Sequence, residues 1–570
     1  MKHAPYFLAM LLLAAVAVHA NTYKLRDHDT YTSSNWKSHS SFADQNDSTK
    51  KGAGWVNADD PSDTMDFPVA GHDYVSEGFT LRTTELTSGC TFAGDTLKLL
   101  TPNFVDGQFD DKLGTDFGRL MFKNKGSSTV AIADFTLENA AVTFSDTYAN
   151  LGIPVLTGQL TIANGYKGFF GTPATGDTGD RRADIRSSLV GSGTLVVYFA
   201  SADTQAIFSG DMGGVFVIGG GEDAAEVAQG VNSSFADSEI TVLANGKLES
   251  SNKYSEWGRC KSLTVRDGGT ANILPYAGFY ISSSVTLRGS IVTGKATVTE
   301  KVTSEASDTL SALDGLWSFA SWHRDLSVAD GTAPVDLRLR ELKSYSPEYS
   351  IRKVGAGTLR TTGNCANLNW PVMVNAGTWL VDNPSAYGLG KSTATIAKGA
   401  CLGGRGFIGA STVLPDGTAT LTLAAGTADS YATLAPGSID ETTGEHLLGT
   451  LTVASESVTN DVSLGAFSHV RIELPKRPSG ASEVAVDRLV VHGRLAIGDD
   501  AVLDLTAADP NGVRGGTYTI LHADAGIVGT FASIQKPNGL GCTVRYVAGQ
   551  DGVTRDIEVS VAKALVIFIL

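Results

Sequence analysis

Short runs of alternating apolar and polar residues, each broken by a glycine-containing corner, recur along the middle of the chain. Three of them read ITVLANGKLESS from Ile240, LTVRDGGTANIL from Leu263 and VTLRGSIVTG from Val285, so their starts are 23 and 22 residues apart. Alternation with a period of two indicates strands that bury one face, because successive side chains of a strand point to opposite sides. The pattern therefore predicts short strands joined by tight turns at a regular spacing.

A second and denser series of the same kind follows. It reads IRKVGAGTLRTTG from Ile351, VMVNAGTWLVD from Val372 and ATIAKGACLGGRGFIG from Ala394. Its corner glycines are Gly355, Gly357, Gly377 and Gly399. Aligned on the last three of these, the corners are 20 and 22 residues apart. A sharp corner requires a positive φ, which glycine adopts at almost no steric cost, so we expect these glycines to turn the chain and Leu359 to point inward.

The spacing of the repeats indicates the fold class. A recurrence of about twenty residues is too short for an independent domain and too long for a hairpin, so each unit must rest on its neighbours. Strands stacked at about 4.8 Å, one coil on the next, satisfy this requirement. We predict an all-β chain that forms a right-handed parallel β-helix, that is, a β-solenoid. An array of β-sandwich-like modules, with turns every 8 to 12 residues or so, is the alternative.

The pattern divides the chain into four regions after an N-terminal leader. Residues 21–100, rich in Asp, Ser, Asn and Trp, predict a strand-poor N-terminal cap over the open end of the solenoid. Residues 101–303 predict a solenoid of degenerate repeats. Residues 304–350, which include GLWSFASWHRDL and VDLRLREL, predict a lateral insertion. Residues 351–570 predict the regular repeats and closing strands, with Ala564–Leu570 as a final buried strand.

The first twenty residues have the order of a secretory signal peptide. Lys2 and His3 precede an apolar run from Tyr6 to Val18, and small residues flank His19. A run of about a dozen residues is short of the roughly twenty needed to span a bilayer. We therefore expect an exported chain that begins near Asn21 and has no transmembrane segment after cleavage.

Composition and charge narrow the classes of partner. The 64 glycines and the low share of charged residues, 18%, favour many short strands over helices. The formal net charge of −16 argues against nucleic acid or an anionic membrane surface as a partner, because like charges repel. Surface glycans or proteins remain as candidate partners.

The cysteines do not suggest a metal site or a disulfide framework. They are Cys90, Cys260, Cys365, Cys401 and Cys542, which are far apart and form no C-x-x-C pair. We interpret them as small buried apolar residues, with one disulfide that the sequence cannot assign as the alternative.

The residues from about 351 to 531 resemble the autotransporter-associated β-strand repeat of exported bacterial proteins. The similar units are IRKVGAGTLRTTG, VNAGTWLVD, YGLG, ACLGGRGFIG, ATLAPGS and LGTLTV, with DRLVVHGRLAIGDDAVLDL and GGTYTILHADAGIVGTF as closing coils. The resemblance implies a passenger-like solenoid at the cell surface. Well-known members of that family continue into a membrane barrel, whereas about forty residues follow Phe531 here. We therefore expect this chain to lack the translocator barrel.

Motifs for catalysis or cofactor binding are absent from the sequence. GAGTLR carries Arg360 where a G-x-G-x-x-G loop needs its third glycine, and no helical segment follows it. There is no H-E-x-x-H, no G-x-S-x-G and no P-loop ending. We predict no cofactor. Two acidic clusters, Asn57–Asp66 and Gly176–Asp184, leave calcium as an alternative, although solvated turns have the same composition.

One cluster of residues is a candidate for ligand contact. Trp317, Trp322, His323 and Arg324 lie within LWSFASWHRD, and indoles beside a cation can stack on sugar rings or anchor a partner protein. The alternative is that the indoles seal the predicted insertion onto the solenoid.

These observations favour a non-enzymatic scaffold, exported to the cell surface or secreted, that acts in adhesion or cell-envelope interaction. A carbohydrate-active β-helix enzyme, a polysaccharide lyase or glycoside hydrolase, is one alternative, since two carboxylates on different coils can converge unseen. A periplasmic structural protein is the other.

Overall fold

The computed structural model of the chain describes residues 20–25, 38–39, 54–83, 90–104, 117–122, 129–144, 155–163, 165–172, 182–191, 193–199, 210–218, 225–229, 233–250, 257–273, 278–319, 324–344, 349–384, 387–409, 418–454, 459–475 and 486–562. These residues form β-strands, turns and one 3-10 turn at Pro510–Gly512, and no α-helix occurs among them. The predicted leader, apart from Ala20, and the predicted final strand Ala564–Leu570 lie outside the described residues.

Fifty strands follow one another along the described chain. Those up to residue 250 are β1 (Thr22–Leu25), β2 (Ser38–His39), β3 (Trp55–Asn57), β4 (Thr64–Met65), β5 (Asp73–Glu77), β6 (Thr80–Arg82), β7 (Cys90–Thr91), β8 (Thr96–Leu100), β9 (Arg119–Phe122), β10 (Thr129–Glu138), β11 (Ala140–Phe144), β12 (Val155–Ile162), β13 (Lys167–Thr172), β14 (Arg182–Val190), β15 (Thr194–Phe199), β16 (Gly210–Ile218), β17 (Ala225–Gln229), β18 (Ser233–Val242) and β19 (Gly246–Ser250). Those from 257 to 408 are β20 (Trp257–Arg266), β21 (Thr270–Ile273), β22 (Gly278–Ile281), β23 (Ser284–Arg288), β24 (Ile291–Val298), β25 (Lys301–Ser304), β26 (Ser311–Phe319), β27 (Arg324–Val328), β28 (Leu337–Ser344), β29 (Ile351–Val354), β30 (Thr358–Thr361), β31 (Val372–Val374), β32 (Gly377–Val381), β33 (Ala394–Ile396), β34 (Ala400–Gly404) and β35 (Phe407–Ile408). The remainder are β36 (Leu421–Leu423), β37 (Thr433–Pro436), β38 (Ser438–Ile439), β39 (His446–Leu447), β40 (Thr450–Val453), β41 (Val462–Leu464), β42 (His469–Glu473), β43 (Arg488–Val491), β44 (Leu495–Ile497), β45 (Val502–Thr506), β46 (Gly516–Ala523), β47 (Ile527–Val528), β48 (Ser533–Gln535), β49 (Gly541–Ala548) and β50 (Thr554–Ala562).

Most of these strands pair in parallel along three ladders. The first ladder is β1-β5-β8-β10-β12-β14-β16-β18-β20-β23-β25-β27-β29-β31-β33-β36-β41-β44-β47. The second is β2-β6-β9-β11-β13-β15-β17-β19-β21-β24-β26-β28-β30-β32-β34-β37-β42-β45-β48. The third runs from β7 through β10, β12, β14, β16, β18, β20, β22, β24 and β26 to β28. A separate sheet, β35-β40-β43-β46, pairs in parallel further along the chain.

The chain visits the ladders in a constant order. From β23 in the first ladder it enters β24, whose first half pairs in the second ladder and whose second half pairs in the third. It then returns to the first ladder at β25 and repeats the cycle through β26. The prediction of an all-β chain built from parallel, repeating units is therefore confirmed. Successive repeats pair in parallel, whereas the strands of the alternative, β-sandwich-like modules, would pair antiparallel.

The predicted register of the first series is confirmed. Ile240, Leu263 and Val285, the starts of its three runs, are direct neighbours across the first ladder. All three are buried, as are Val265 and Leu287 two residues further on. Alternation thus places one apolar row per strand in the core, where burial of each such side chain stabilises the fold by about 1.5–3 kcal/mol.

The second series is confirmed with one local offset. Ile351, Val372 and Ala394 are neighbours in the first ladder, as their spacing predicts. In the second ladder Gly377 pairs with Ala400 rather than with Gly399, so the corner alignment is one residue off at this step.

The corner glycines turn the chain for two different reasons. Gly355, Gly377 and Gly399 have φ angles of 84°, 64° and 80°, which confirms the expected positive φ. Gly357 is not among the residues with positive φ, so that expectation is wrong for this position. A Cβ atom on Gly357 would lie 2.4 Å from the carbonyl oxygen of Ala329, and close approach of the neighbouring corner is what requires glycine there.

Residues 304–350 do not form a lateral insertion, contrary to the sequence prediction. Here β26, β27 and β28 pair in parallel with the strands before and after them, as the rest of the wall does. The alternation is hard to recognise because β26 bends from one ladder into the next at Gly315. A Cβ atom on Gly315 would lie 1.7 Å from the carbonyl oxygen of Gly294, so a side chain is excluded at the bend.

The two ends of the wall contain antiparallel strands. In residues 21–100, β3 pairs antiparallel with β1 and with β4, while β5, β6 and β8 belong to the parallel ladders, so the described part is not strand-poor. At the other end β50 pairs antiparallel with β46 and β49. That residues 21–100 act as a cap stays a prediction.

Candidate functional site

Two neighbouring corners between the first and second ladders are longer than most. Residues 305–310 join β25 to β26, and residues 329–336 join β27 to β28. The corners contact each other, because the carbonyl oxygen of Ser307 accepts the backbone N–H groups of Thr332 and Ala333 at 2.9 and 3.2 Å. They therefore form one continuous surface feature.

The second long corner is anchored to the core by Asp336. Its buried carboxylate accepts the backbone N–H groups of Gly331 and Thr358 at 2.8 and 2.7 Å. Burial raises the pKa of Asp336, and these hydrogen bonds oppose the rise. The carboxylate therefore has a structural role, fixing the corner to the next coil.

Lys353 lies beneath the same corners and is fully buried. Its ammonium group donates to the carbonyl oxygens of Gly355 and Ala376 at 2.6 and 2.8 Å, which belong to successive corners. Burial lowers the pKa of Lys353 to about 8, while the charges of Asp336 and Asp330 act in the opposite direction. Hydrogen bonds from the buried Lys353 side chain thus hold the corner in the stretch KVGAGTLR.

A third segment joins this surface from much later in the chain. After β37 the chain leaves the second ladder at Gly437, which has a φ of 96°, and forms the antiparallel hairpin of β38 and β39. A Cβ atom on Gly444, in the hairpin turn, would lie 3.4 Å from Cγ of Pro334, so the turn reaches the second long corner. We call residues 305–310, 329–336 and 438–447 the lateral ridge.

Ion pairs fasten the hairpin to the second ladder. Arg338 donates to Oε1 of Glu441 at 2.7 Å, and Nη1 of Arg360 lies 3.4 Å from Oε2 of the same carboxylate. Arg338 also donates to both oxygens of Asp314, at 3.1 and 2.6 Å, and Nε of Arg360 lies 3.0 Å from Asp382. Glu441 therefore bridges two arginines that already have carboxylate partners on the wall.

A cleft of about 660 Å³ lies on one side of the ridge, and we call it the corner cleft. Its lining residues come from three successive corners: Asp267, Gly268, Gly269, Thr270, Gly289, Ser290, Ile291, Ser307, Asp308, Thr309 and Leu310. The last of these corners, residues 305–310, is longer than the two before it. Leu310 and Ile291 are the two large apolar side chains of the cleft, and Ile291 is 42% exposed.

The two carboxylates of the corner cleft differ in their surroundings. Arg288 donates to both oxygens of Asp267 at 2.9 and 2.6 Å, and this pairing holds the pKa of Asp267 below its usual value. Arg266 pairs with Glu305 at 2.5 Å just outside the cleft. Asp308 has no ion pair with any described residue and is exposed. The cleft thus presents one uncompensated negative charge.

A smaller cleft of about 220 Å³ lies at the base of the hairpin, lined by Arg405, His446, Leu447, Leu448 and Glu473. Nε2 of His446 lies 2.7 Å from Oδ2 of Asp487, whose side chain is buried.

The surroundings of Asp487 suggest a structural role. Its carboxylate also accepts the backbone N–H groups of Gly449 and Glu473 at 3.0 and 3.1 Å. Burial raises the pKa of Asp487, although these partners oppose the shift. With its acceptor sites engaged in this way, Asp487 holds the hairpin base rather than facing the cleft.

The two described members of the predicted ligand-contact cluster, Trp317 and Arg324, are both buried. Trp317 is fully buried in β26, next to Ala296 of β24 across the third ladder, so the expectation that it contacts a ligand is wrong. Arg324 is 8% exposed and begins β27. Trp322 and His323 lie outside the described residues. Trp317 is a core residue because the segment containing it is a strand of the wall.

The acidic cluster Asn57–Asp66 is held together by its own hydrogen bonds. Asp63 accepts from Oη of Tyr23 at 2.7 Å and from Nδ2 of Asn57 at 2.9 Å, and Asp60 accepts from Ser62. Of Gly176–Asp184, residues 176–181 lie outside the described part of the chain. Within the described ranges no group of three or more His, Cys, Asp or Glu side chains is placed to hold a metal ion.

None of the five cysteines forms a disulfide with another, and Cys260, Cys365 and Cys542 are buried. Burial raises the pKa of Cys401 to about 11 and that of Cys365 to about 12. The interpretation as small buried apolar residues is confirmed for Cys260, Cys365 and Cys542, whereas Cys90 and Cys401 are half-buried.

Sequence reasoning missed the lateral ridge and its ion pairs. Glu441 lies 103 residues from Arg338 and 81 from Arg360, so no local pattern connects them. One signal was present: VDLRLREL, read as part of an insertion, is a strand whose Arg338 lies on the outer face of the second ladder.

Comparison with known proteins adds no identity. No family model matches the chain, and no curated protein matches it. Where the structure describes the chain, it contains no helix with the length and apolar character needed to cross a bilayer. Function is therefore inferred from the fold and its side chains.

Proposed function

We propose that this chain is an exported bacterial scaffold, at the cell surface or secreted, that acts in adhesion or cell-envelope interaction and performs no catalysis. The observation that carries the proposal is the first ladder, in which strands from β1 to β47 pair in parallel through most of the described chain. Such a wall offers a long rigid surface whose corners can carry contacts. The signal-like leader and the similarity to autotransporter-associated repeats support export.

The finer form of the fold is part of the proposal. We infer that the three ladders close into a right-handed parallel β-helix. Support comes from strands such as β24 and β26, which bend from the second ladder into the third, and from the strong preference of parallel crossovers for the right hand. Eighteen steps along the first ladder, at about 4.8 Å each, would give a length on the order of 90 Å.

The lateral ridge and its clefts are the best candidates for the contact surface. They combine two adjacent long corners with an added hairpin, whereas most other corners of the described wall are short turns. Loops on a rigid frame are where binding residues concentrate.

One observation favours a carbohydrate-active enzyme as the second candidate. Asp267 and Asp308 line the same cleft, and glycosidases use two carboxylates about 5 to 9.5 Å apart. Such an enzyme needs one carboxyl group that stays protonated. Asp267 does not suit that role, because Arg288 binds both its oxygens and lowers its pKa. Asp267 is therefore not a candidate for the general acid, and the enzyme stays the second proposal.

Two measurements test the proposal. The purified mature chain is incubated with a panel of plant and mucin polysaccharides, and new reducing or unsaturated ends are assayed; we expect none. Release of such ends by the wild type, lost in Asp308→Asn, would establish the enzyme instead. Fractionation of the native cells should find the chain at the surface or in the medium, and a purely periplasmic chain would favour the periplasmic structural protein.

A further inference from the structure

The corner cleft combines a bare backbone floor with one long wall. Gly269 and Ser290 are buried at the floor, and Gly268, with a φ of 85°, has no heavy atom within 4 Å of the place where a Cβ atom would lie. The wall is the corner of residues 305–310, which carries the hydroxyl groups of Ser307 and Thr309. A slender ligand can therefore approach the floor without displacing a side chain.

The charges around the cleft favour a cation. Asp267 with Arg288 and Arg266 with Glu305 are neutral pairs, which leaves the carboxylate of Asp308 as the local excess. The chain as a whole carries −16, so the long-range field also attracts positive partners and repels anions.

An apolar surface in the same cleft narrows the choice of cation. Ile291 opens 42% of its surface to solvent, next to Thr270 in the second ladder. A lysine side chain has matching chemistry, since its methylene groups cover apolar surface while its ammonium group reaches a carboxylate. An amino sugar carries its charge on a hydroxyl-covered ring and gains less from the isoleucine.

We propose that the corner cleft binds a lysine side chain from a basic segment of a partner protein. The ammonium group pairs with Asp308, and the methylene groups lie against Ile291. The hydroxyl groups of Ser307 and Thr309 form hydrogen bonds with the backbone of the partner. This inference rests on the proposed function, because it names the class of partner that the scaffold contacts at its ridge.

The test uses the full mature chain and a fluorescently labelled peptide, acetyl-Gly-Lys-Gly-Lys-Gly-amide, with binding measured by anisotropy at low and physiological salt. We expect Asp308→Asn to weaken binding about fivefold and to flatten its salt dependence, as loss of one partly exposed ion pair predicts. Ile291→Ser should weaken binding and leave the salt dependence in place. Asp499→Asn, which removes an exposed carboxylate from an equivalent corner outside the cleft, is the matched control and should change nothing.

Three results would overturn the inference. The first is that the peptide with both lysines acetylated binds as tightly as the unmodified peptide. The second is that Asp308→Asn and Asp499→Asn bind the peptide equally well. The third is that binding of a glucosamine oligomer depends on Asp308 while binding of the peptide does not. Each leaves the scaffold proposal standing if the chain is still found at the surface without cleaving polysaccharide. Conversely, polysaccharide cleavage overturns the scaffold whatever the peptide does.

Discussion

At the scale of single residues, Lys353 links two successive corners of the wall. Its buried ammonium group donates to the carbonyl oxygens of the half-buried residues Gly355 and Ala376. Two N–H donors serve these two acceptors, so the neutral amine can keep both contacts. The lowered pKa of about 8 is consistent with that arrangement.

The pH dependence of stability should carry the signature of Lys353. Its folded pKa of about 8 lies below the unfolded value of about 10.4, so between them the unfolded chain holds a proton that the folded chain has released. Raising the pH from 8 towards 10 should therefore stabilise the wild type relative to Lys353→Met, by about 1 to 2 kcal/mol. Denaturant unfolding of both proteins at the two pH values measures this.

The matched control for that comparison is Lys398→Met, which changes an exposed lysine at a corner two coils further on. Relative to this control the wild type should show no such gain. A difference between wild type and Lys353→Met that stays flat from pH 8 to 10 would contradict the assignment.

Gly357 should tolerate no side chain. In Gly357→Val the new Cβ would meet the carbonyl oxygen of Ala329 at 2.4 Å, which is backbone and has no room to move. We expect a loss of about 3 kcal/mol or more in the free energy of unfolding, or failure to fold and to be exported, with no separate defect in ligand binding.

Gly268→Ala is the comparison for Gly357→Val. Gly268 also lies at a corner, but open space surrounds the place of its Cβ, so only its φ of 85° opposes the change. A cost of about 1 kcal/mol is expected. Equal losses for the two variants in thermal or denaturant unfolding would show that contact with Ala329 does not decide the case.

At the scale of elements, the hairpin of β38 and β39 depends on polar contacts. Its strands are two residues long, and residues 442–445 are exposed, so little apolar surface fastens it. Segments with few buried apolar contacts open at low free energy. The ion pairs of Glu441 with Arg338 and Arg360, and the hydrogen bonds of Arg360 to Ser438 and Ile439, therefore hold the hairpin on the wall.

Glu441→Gln should loosen the hairpin and leave the ladders intact. We expect hydrogen exchange at residues 438–447 to speed up about threefold to fivefold, because the ion pairs are partly exposed and each contributes at most about 1 kcal/mol. Glu445 lies in the same hairpin and is exposed, so Glu445→Gln should leave hydrogen exchange unchanged. If Glu441→Gln exchanges like the wild type, the hydrogen bonds of Arg360 to Ser438 and Ile439 and the bond between His446 and Asp487 hold the hairpin without Glu441.

Elements could be predicted from sequence where alternation and spacing are both regular. The runs from 240 to 294 and from 351 to 409 meet this condition, and their pairing follows the predicted register apart from one residue at Gly399. β26 does not meet this condition, because a strand that bends between ladders buries residues at both of its ends and not alternately. Its pattern is three buried, three half-buried and three buried residues. The corner cleft was equally invisible, because it arises from the unequal lengths of three corners.

At the scale of the whole molecule, the proposed β-helix predicts an elongated particle. Small-angle scattering of the mature chain should give a maximum dimension on the order of 90 to 100 Å. A compact protein of this length would reach only roughly 65 Å, from the usual scaling of the radius of gyration. The shorter value would contradict stacking of the ladders along one axis, while addition of the lysine peptide should not change either dimension.

The first ladder keeps its pairing although the amount of chain between partners varies widely. Leu287 pairs with Ser304, 17 residues later, whereas Leu423 pairs with Leu464, 41 residues later. Position in the wall is thus set by the strands, and the corners absorb any difference in length. A gene encoding such a chain can gain or lose whole codons between strands without changing the register in which the strands pair. Insertions of that kind would appear as new loops on its flank, which is a simple route by which the ridge and hairpin could have been added.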